Sequence, residues 1–142
     1  MSTITFTHHS VPAPIKDKLF AKTFLATVFA QEKIAFKSIS YIFCPDEYLL
    51  KLNKQYLNHD TLTDILTFNL SGVSLSLVAE IYISVERVKD NAQIHETGFM
   101  EELYRVMIHG ILHLCGYNDH TVQEKEEMRK KEDYYLQQSD LF

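Results

Sequence analysis

The sequence predicts an α+β fold in which a small mixed β-sheet packs against helices. Short segments rich in β-branched and aromatic residues alternate with longer segments whose apolar residues recur at helical spacing. The chain has 142 residues, of which 46% are apolar and 23% charged, as expected for one globular domain. No repeat, low-complexity stretch or linker divides it. We therefore expect residues 1–142 to form a single domain.

The first half of the chain predicts two strands and two helices. Residues 4–8 alternate as a short strand does, and residues 38–44 are rich in β-branched and aromatic side chains. Between these strands, the apolar residues from Ile15 to about Lys33 recur at helical spacing. Pro45 and Asp46 can begin a second helix, because proline is tolerated in a first turn. That helix would hold Leu49, Leu52 and Tyr56.

The second half predicts two more strands and three helices. Residues 63–70 and 77–84 have strand composition, and the turn-like SGVS lies between them. Ser84 can cap a helix that runs from Val85 to about His95. A second helix covers about 99–115. The last, about 121–137, is dense in charged residues, and we expect it to be largely solvated.

The charge of the chain is unevenly distributed. The net charge is −5, with seven basic and five acidic residues in 1–60 and seven and fourteen in 61–142. An acidic chain is a poor nonspecific nucleic-acid binder, because such binding depends on neutralising phosphates. A polyanionic partner would have to approach a local basic patch, although a solvated helix face explains the same lysines equally well. The candidates are Lys16, Lys18, Lys22, Lys33 and Lys37.

The cysteine count and the N-terminus indicate a cytoplasmic protein. Cys44 and Cys115 are too few for a disulfide framework, so we expect reduced thiols. The segment MSTITFTHHS lacks the pattern of a secretion signal. No run of 18 apolar residues occurs, so we expect neither a membrane span nor a membrane partner.

The helix over about 99–115 places two histidines on one face. With about 100° per residue, His113 lies at about 40° from His109, whereas the apolar residues of this helix lie between about 120° and 200°. Two imidazoles at i and i+4 can share one metal ion, as the H-x-x-x-H helices of zinc hydrolases do. The same spacing also arises by chance in a chain with seven histidines.

The residues after the histidine pair offer a third ligand. Gly116, three residues after His113, can end the helix and turn the chain back. Metzincins place a glycine at this position and a ligand at +6, which here is Asp119, whereas His120 lies at +7. The spacing favours Asp119 and the ligand chemistry favours His120, since imidazole is the commoner third zinc ligand. We expect one zinc ion on His109, His113 and Asp119, with His120 as the alternative.

Other candidate ligands are weaker. Cys115 lies near 240° on the wheel, away from the histidine pair, which indicates core packing. Glu102 lies near 20°, on the face of the histidine pair, where it could support the metal ligands. About 10 Å of axial separation from His109 indicates an exposed side chain at least equally well. The remaining histidines outside the motif lack a partner at ligand spacing, and we expect them at the surface: His8, His9, His59 and His95.

The motif indicates a metal-dependent hydrolase. Metallopeptidases with this helix carry a general-base glutamate directly after the first histidine, and that position is Gly110 here. A metallopeptidase is therefore disfavoured. Cleavage of RNA is less demanding, because the substrate's own 2′-hydroxyl can be the nucleophile.

A family resemblance extends this interpretation. The segment HGILHLCGY resembles the H-G-x-L-H-L-x-G-Y-D-H signature of the YbeY family of bacterial endoribonucleases. Residues 52–69 and 79–84 are similar to two further segments of that family, and the likeness covers roughly residues 40–135. The resemblance implies a zincin-like fold with a central metal-binding helix, and cleavage of single-stranded RNA in the bacterial cytoplasm. It also implies roles in small-subunit ribosomal RNA maturation and ribosome quality control.

The resemblance places His109 and His113 on the family's first two zinc ligands. An ungapped alignment places Asp119 on the family's third zinc ligand, which is normally histidine, and an alignment shifted by one residue places His120 there. Leu57 stands where the family has an arginine regarded as important for catalysis. Arg105, near −40° on the wheel, is a weak substitute, and an ion pair with Glu101 is the simpler expectation. The alternative function is a ribosome-assembly factor that contacts the ribosome or its proteins and carries a structural zinc.

Overall fold

The computed structural model describes residues 2–57, 63–72 and 75–142, without the side chain of Leu57. It has the mixed α+β architecture that the sequence predicts. The described elements are, in chain order, β1 (Thr3–His8), α1 (Lys18–Gln31), β2 (Phe36–Cys44), α2 (Asp46–Leu57), β3 (Ile65–Asn69), β4 (Leu77–Ser84), α3 (Val85–Ile94), α4 (Phe99–Leu114) and α5 (Val122–Gln138).

The described strands form one open sheet in the order β1-β2-β4-β3. β1, β2 and β4 run parallel to one another, and β3 runs antiparallel to β4. Ile65 at the start of β3 is therefore paired with Ile83 near the end of β4. This pairing brings the beginning of β3 to the edge of the sheet where β4 passes into α3.

The main core lies on one face of the sheet. Side chains alternate between the two faces of a strand, and in β2 the buried Ile39, Tyr41 and Phe43 point to this side. Apolar residues of α1 and α4 complete the cluster, among them Leu25, Phe29, Leu103, Met107 and Ile111. A smaller cluster on other strand positions packs under α2, around Cys44, Leu49 and Leu66.

Helix α4 lies at the centre of the helical layer. It contacts α1, α3, α5 and β3, and the buried hydroxyl of Tyr41 donates to its Met107 carbonyl at 3.0 Å. A Cβ at Gly110 would lie 3.0 Å from Cδ1 of Ile65 and 3.2 Å from two atoms of Ile81. Glycine at this position therefore lets α4 approach β3 and β4 closely.

The last helix is largely exposed, as the sequence predicts. One face of α5 is nevertheless buried, because its buried residues fall at i, i+4, i+7 and i+8: Met128, Glu132, Tyr135 and Leu136. This spacing forms the face that packs on α4. Among the helices of the described residues, none combines the length and the apolar character that crossing a membrane requires.

Candidate metal centre

The end of α4 turns the chain back over the two histidines. Gly116 has φ +102°, and its N–H donates to the carbonyl of His113 at 3.0 Å. The N–H of Tyr117 donates to the carbonyl of Leu112 at the same distance. These two bonds form a Schellman motif, in which a left-handed residue, usually glycine, follows the helix. The turn brings residues 117–119 beside the exposed end of the helix.

Three side chains meet at this turn. Nε2 of His113 lies 2.9 Å from Nε2 of His109, and Oδ2 of Asp119 lies 3.2 Å from the His109 nitrogen and 3.5 Å from the His113 nitrogen. Donor atoms in a tetrahedral zinc site, each bound at about 2.0–2.1 Å, are separated by roughly 3.3–3.4 Å. The separations of these three atoms therefore suit a single ion bound between them.

Hydrogen bonds fix the orientation of both imidazole rings. Nδ1 of His109 lies 2.7 Å from Oε2 of Glu132, and Nδ1 of His113 lies 3.0 Å from the carbonyl oxygen of Tyr117. Both partners are acceptors, so each neutral ring carries its proton on Nδ1 and presents a lone pair on Nε2. Metal-binding histidines have this arrangement, in which the other ring nitrogen donates to a carboxylate or a carbonyl.

His120 lies outside this cluster. The described residues contain one group of metal-ligating side chains, and it comprises His109, His113 and Asp119. The backbone N–H groups of His120 and Thr121 both donate to Oε1 of Glu124, and Thr121 caps α5 in a capping box. This cap begins α5 directly after His120, whose side chain is exposed.

The donor set suits a metal that accepts nitrogen and oxygen ligands. Two imidazoles and one carboxylate are a common zinc set, and three protein ligands leave one position for water or substrate. Structural zinc sites are almost always closed by four protein ligands. The residues described here could therefore hold a catalytic ion more readily than a structural one.

Negative charge collects around the histidine pair. Burial by itself would lower the pKa of His109, but the hydrogen bond to Glu132 and the charges of Glu132, Asp119 and Asp64 outweigh it and raise this pKa. Burial raises the pKa of Asp64, and the neighbouring carboxylates act in the same direction. The site thus favours positive charge at His109, which a bound cation would supply in place of the proton.

The cluster opens into a cavity of about 340 Å³. His109 and Asp119 contribute to its lining, and the other lining residues come from α3, α4, α5, His95 after α3, and Asp64 directly before β3. Three basic side chains share the lining with acidic ones: Arg105, Lys125 and Arg129. The cavity therefore offers both a cation site and positive charge for an anionic substrate.

A buried carboxylate contacts the turn of residues 115–119 that follows α4, here called the ligand turn. Glu32, at the end of α1, accepts hydrogen bonds from the hydroxyl of Tyr117 at 2.8 Å, from Nζ of Lys131 at 3.0 Å and from the hydroxyl of Tyr135. Burial raises the pKa of Glu32, but these three donors outweigh it and lower this pKa. Glu32 therefore connects α1, the turn and α5.

Arg105 and Glu102 have surroundings that the helical wheel did not predict. Arg105 does not pair with Glu101. Its side chain is 12% exposed and binds Glu132 at 3.0 Å and Asp133 at 2.6 Å. For Glu102, support of the metal ligands and an exposed position were both open, and the residue is 3% exposed. The helical wheel gives the direction of a side chain but not the neighbouring helix that covers it, so it could not predict either environment.

Several other predicted positions have ordinary surroundings. Cys115 packs against the core, and burial raises its pKa to about 12. The His9 ring contacts Tyr48 with centroids 4.4 Å apart, and the partly exposed His95 lies 3.4 Å from Glu102. His59 and the side chain of Leu57 lie outside the described residues.

Sequence reasoning missed Glu132, Asp64 and Glu32. Glu132 lies in a run of charged residues, where the sequence predicts that a carboxylate is at the surface. Asp64 belongs to residues 52–69, which carry part of the family resemblance, so the motif was a usable signal for it. Nothing in the spacing of Glu32 connects it to Tyr117.

The fold and the site together define a small α+β protein with a candidate metal centre of the two-histidine, one-carboxylate type. A family profile described as Endoribonuclease YbeY matches residues 5–140. The chain belongs to this family.

Named relatives agree with this assignment. Endoribonuclease YbeY of Cytophaga hutchinsonii is 45% identical over 134 residues, which cover 94% of both chains. Endoribonuclease YbeY of Flavobacterium johnsoniae is 45% identical over 130 residues, or 92% of both chains. The solution structure of TM1509 from Thermotoga maritima is similar in fold, with a TM-score of 0.65 and 27% sequence identity, covering 96% of this chain and 89% of that one.

Proposed function

We propose that this protein is a zinc-dependent endoribonuclease that cleaves single-stranded RNA. Its work would be the maturation of small-subunit ribosomal RNA and ribosome quality control in the cytoplasm. Membership of the Endoribonuclease YbeY family supports the activity. The observation that carries the proposal is the convergence of His109, His113 and Asp119, with both histidine Nδ1 atoms already bound by acceptors.

The three converging side chains are the proposed zinc ligands. A zinc ion there would supply a Lewis acid that polarises a phosphoryl oxygen or makes water more acidic. Glu132 and the Tyr117 carbonyl hold the two imidazoles in the tautomer that this binding needs.

Basic residues of the cavity would bind the RNA backbone. Lys125 and Arg129 lie on α5 in the cavity lining and can neutralise phosphates near the scissile bond. The substrate's 2′-hydroxyl can act as the nucleophile, so the chain need not supply one. Arg105 is the weaker candidate for binding phosphate charge, because Glu132 and Asp133 already hold its guanidinium.

The surroundings of Gly110 count against a peptidase. Its α-carbon faces Ile65 and Ile81, so a glutamate side chain there would enter the contact between α4 and the sheet. The group of ligating side chains found among the described residues has three members rather than the four of a closed structural site, which counts against a purely structural zinc. The alternative function, a ribosome-assembly factor that does not cleave RNA, is tested by the same experiment.

Cleavage of a single-stranded ribosomal RNA fragment tests the proposal. Purified protein would be stripped of metal and resupplied with zinc, with a duplex of the same sequence in parallel and His113→Ala as the control for contaminating nuclease. We expect cleavage of the single strand that needs zinc and that the variant lacks. A folded, zinc-loaded protein that cleaves no RNA would contradict the proposal and favour the assembly factor.

A further inference from the structure

Glu102 is a buried carboxylate with spare hydrogen-bonding capacity. Oε1 lies 3.4 Å from Nδ1 of His95, and within the described part of the chain Oε2 is buried without any hydrogen-bond donor. An ionised carboxylate is an acceptor only, and leaving such a group unpaired in the interior is unfavourable by about 1–3 kcal/mol or more. The side chain lines the same cavity as the candidate metal ligands.

The cavity connects Glu102 to the metal centre over a distance that suits one nucleotide. Glu102 precedes His109 by seven residues on α4, which corresponds to about 10.5 Å along a helix axis at 1.5 Å per residue. A phosphate beside His109 and Asp119 could therefore belong to the same nucleotide as a base near Glu102. Val106 and Met128 contribute apolar surface to the lining, which suits the flat face of a base.

We propose that this cavity is a base-recognition subsite in which Glu102 accepts a hydrogen bond from an exocyclic amine of the nucleotide at the metal centre. This inference rests on the proposed ribonuclease function. Cytosine, adenine and guanine each present an exocyclic amine on the Watson–Crick edge, and acidic side chains accept from such groups. Uracil presents carbonyl oxygens on either side of its single N–H, and these oxygens face a carboxylate unfavourably. The subsite therefore selects the three bases that carry an exocyclic amine over uracil, and adenine and cytosine represent them in the test below.

Binding of 2′-O-methyl RNA oligomers to the zinc-loaded protein tests the inference without cleavage. Fluorescent single-stranded oligomers of equal length, composed of A, C or U, would be titrated by anisotropy. We expect the A or the C oligomer to bind about fivefold or more tightly than the U oligomer, the lower end of the discrimination given by a specific polar contact to a base. Equal binding of all three would overturn the subsite.

Glu102→Gln is the informative variant. The glutamine amide is nearly the same size but can donate to a uracil carbonyl as well as accept from an amine, so we expect the preference to disappear while U binding is kept or improved. Glu101→Gln, the neighbouring carboxylate that is not part of the cavity lining, is the matched control and should keep the preference. A Glu102→Gln protein that keeps the full preference would show that Glu102 pairs with His95 but does not recognise the base.

A second measurement does not depend on any variant. The imidazole NMR signals of His95 should shift on addition of cytidine monophosphate and much less with uridine monophosphate, because His95 contacts the carboxylate that would bind the base. Equal responses to both would contradict the subsite. If the protein shows the oligomer preference but does not cleave RNA, only the proposed nuclease function is contradicted. If it cleaves RNA but shows no preference, only the proposed subsite is contradicted.

Discussion

Asp119 and His120 are neighbours in the sequence with different surroundings. Asp119 places Oδ2 within 3.5 Å of both histidine nitrogens, whereas the backbone of His120 is bound to Glu124 at the start of α5. The structure thus assigns the acidic residue to the histidine cluster, although imidazole is the commoner third zinc ligand. An Asp ligand also cancels one unit of the ion's charge, so the bound metal would be a weaker Lewis acid than one with three imidazoles.

The assignment of Asp119 predicts different effects of two alanine substitutions. Asp119→Ala should lower the zinc content of the purified protein well below one ion per chain, because two imidazoles alone bind weakly. His120→Ala should leave the zinc content unchanged. Elemental analysis after dialysis measures both. Retained zinc in Asp119→Ala together with lost zinc in His120→Ala would transfer the ligand role to His120.

Glu132 should control both the protonation of His109 and the affinity for zinc. Glu132→Gln keeps an acceptor near Nδ1 but removes the negative charge, so the pKa of His109 should fall in the metal-free protein. Zinc affinity above that pKa should fall about 10- to 100-fold, as on loss of other groups that orient metal ligands. NMR titration and competition with a chelator measure the two effects.

The same pKa sets the pH dependence of the metal-free protein. Because the pKa of His109 is raised in the folded state, its stabilising contribution is fully present below the unfolded pKa and is lost as the pH rises through the folded pKa. Glu132→Gln should remove this trend. Asp133→Asn, which alters the other carboxylate on Arg105, is the control and should keep it.

At the scale of elements, periodicity and composition predicted most of the fold. Every predicted strand and helix is present, and the strand predicted at 77–84 has the observed bounds. The order β1-β2-β4-β3 could not be read from the sequence, since strand pairing depends on contacts between distant segments. The buried face of α5 was missed because charged residues surround Met128, Tyr135 and Leu136, and because Glu132 occupies one position on that face.

Gly110 should be needed for the close contact of α4 with the sheet. Gly110→Val would bring new methyl groups against Ile65 and Ile81, where even a Cβ lies at 3.0–3.2 Å. We expect a loss of about 1–3 kcal/mol in the free energy of unfolding, as for other overpacked cores. Denaturant unfolding measures it. Valine has a higher helix propensity than glycine, so helix propensity cannot explain a loss in Gly110→Val, and a variant as stable as wild type would exclude overpacking.

At the scale of the whole molecule, the candidate site is assembled from segments far apart in the chain. Sequence reasoning identified His109, His113 and the choice between two third ligands, because those residues lie within one helix and its following turn. It could not identify Glu132 or Glu32, because each reaches the site only through the packing of another helix. Local spacing therefore predicted the side chains that converge, and tertiary packing supplies the groups that orient them.

Glu32 should stabilise the whole molecule in a pH-dependent way. Its pKa is lowered in the folded state, so its contribution is present above the unfolded pKa and is lost as the pH falls through the folded pKa. Glu32→Gln should reduce the free energy of unfolding near pH 7 by about 1–3 kcal/mol, because Lys131, Tyr117 and Tyr135 would lose a charged acceptor. The difference from wild type should shrink at acid pH, where wild-type Glu32 is also neutral.

Denaturant unfolding at several pH values measures this effect, and Glu127→Gln, at an exposed carboxylate of the same surface, is the matched control. Zinc affinity should fall less in Glu32→Gln than in Glu132→Gln. Glu32 acts on His113 only through the position of the Tyr117 main chain, whereas Glu132 contacts His109 directly. A Glu32→Gln protein as stable as wild type near pH 7 would show that the three donors find water or other acceptors, and that the ligand turn holds its position without this carboxylate.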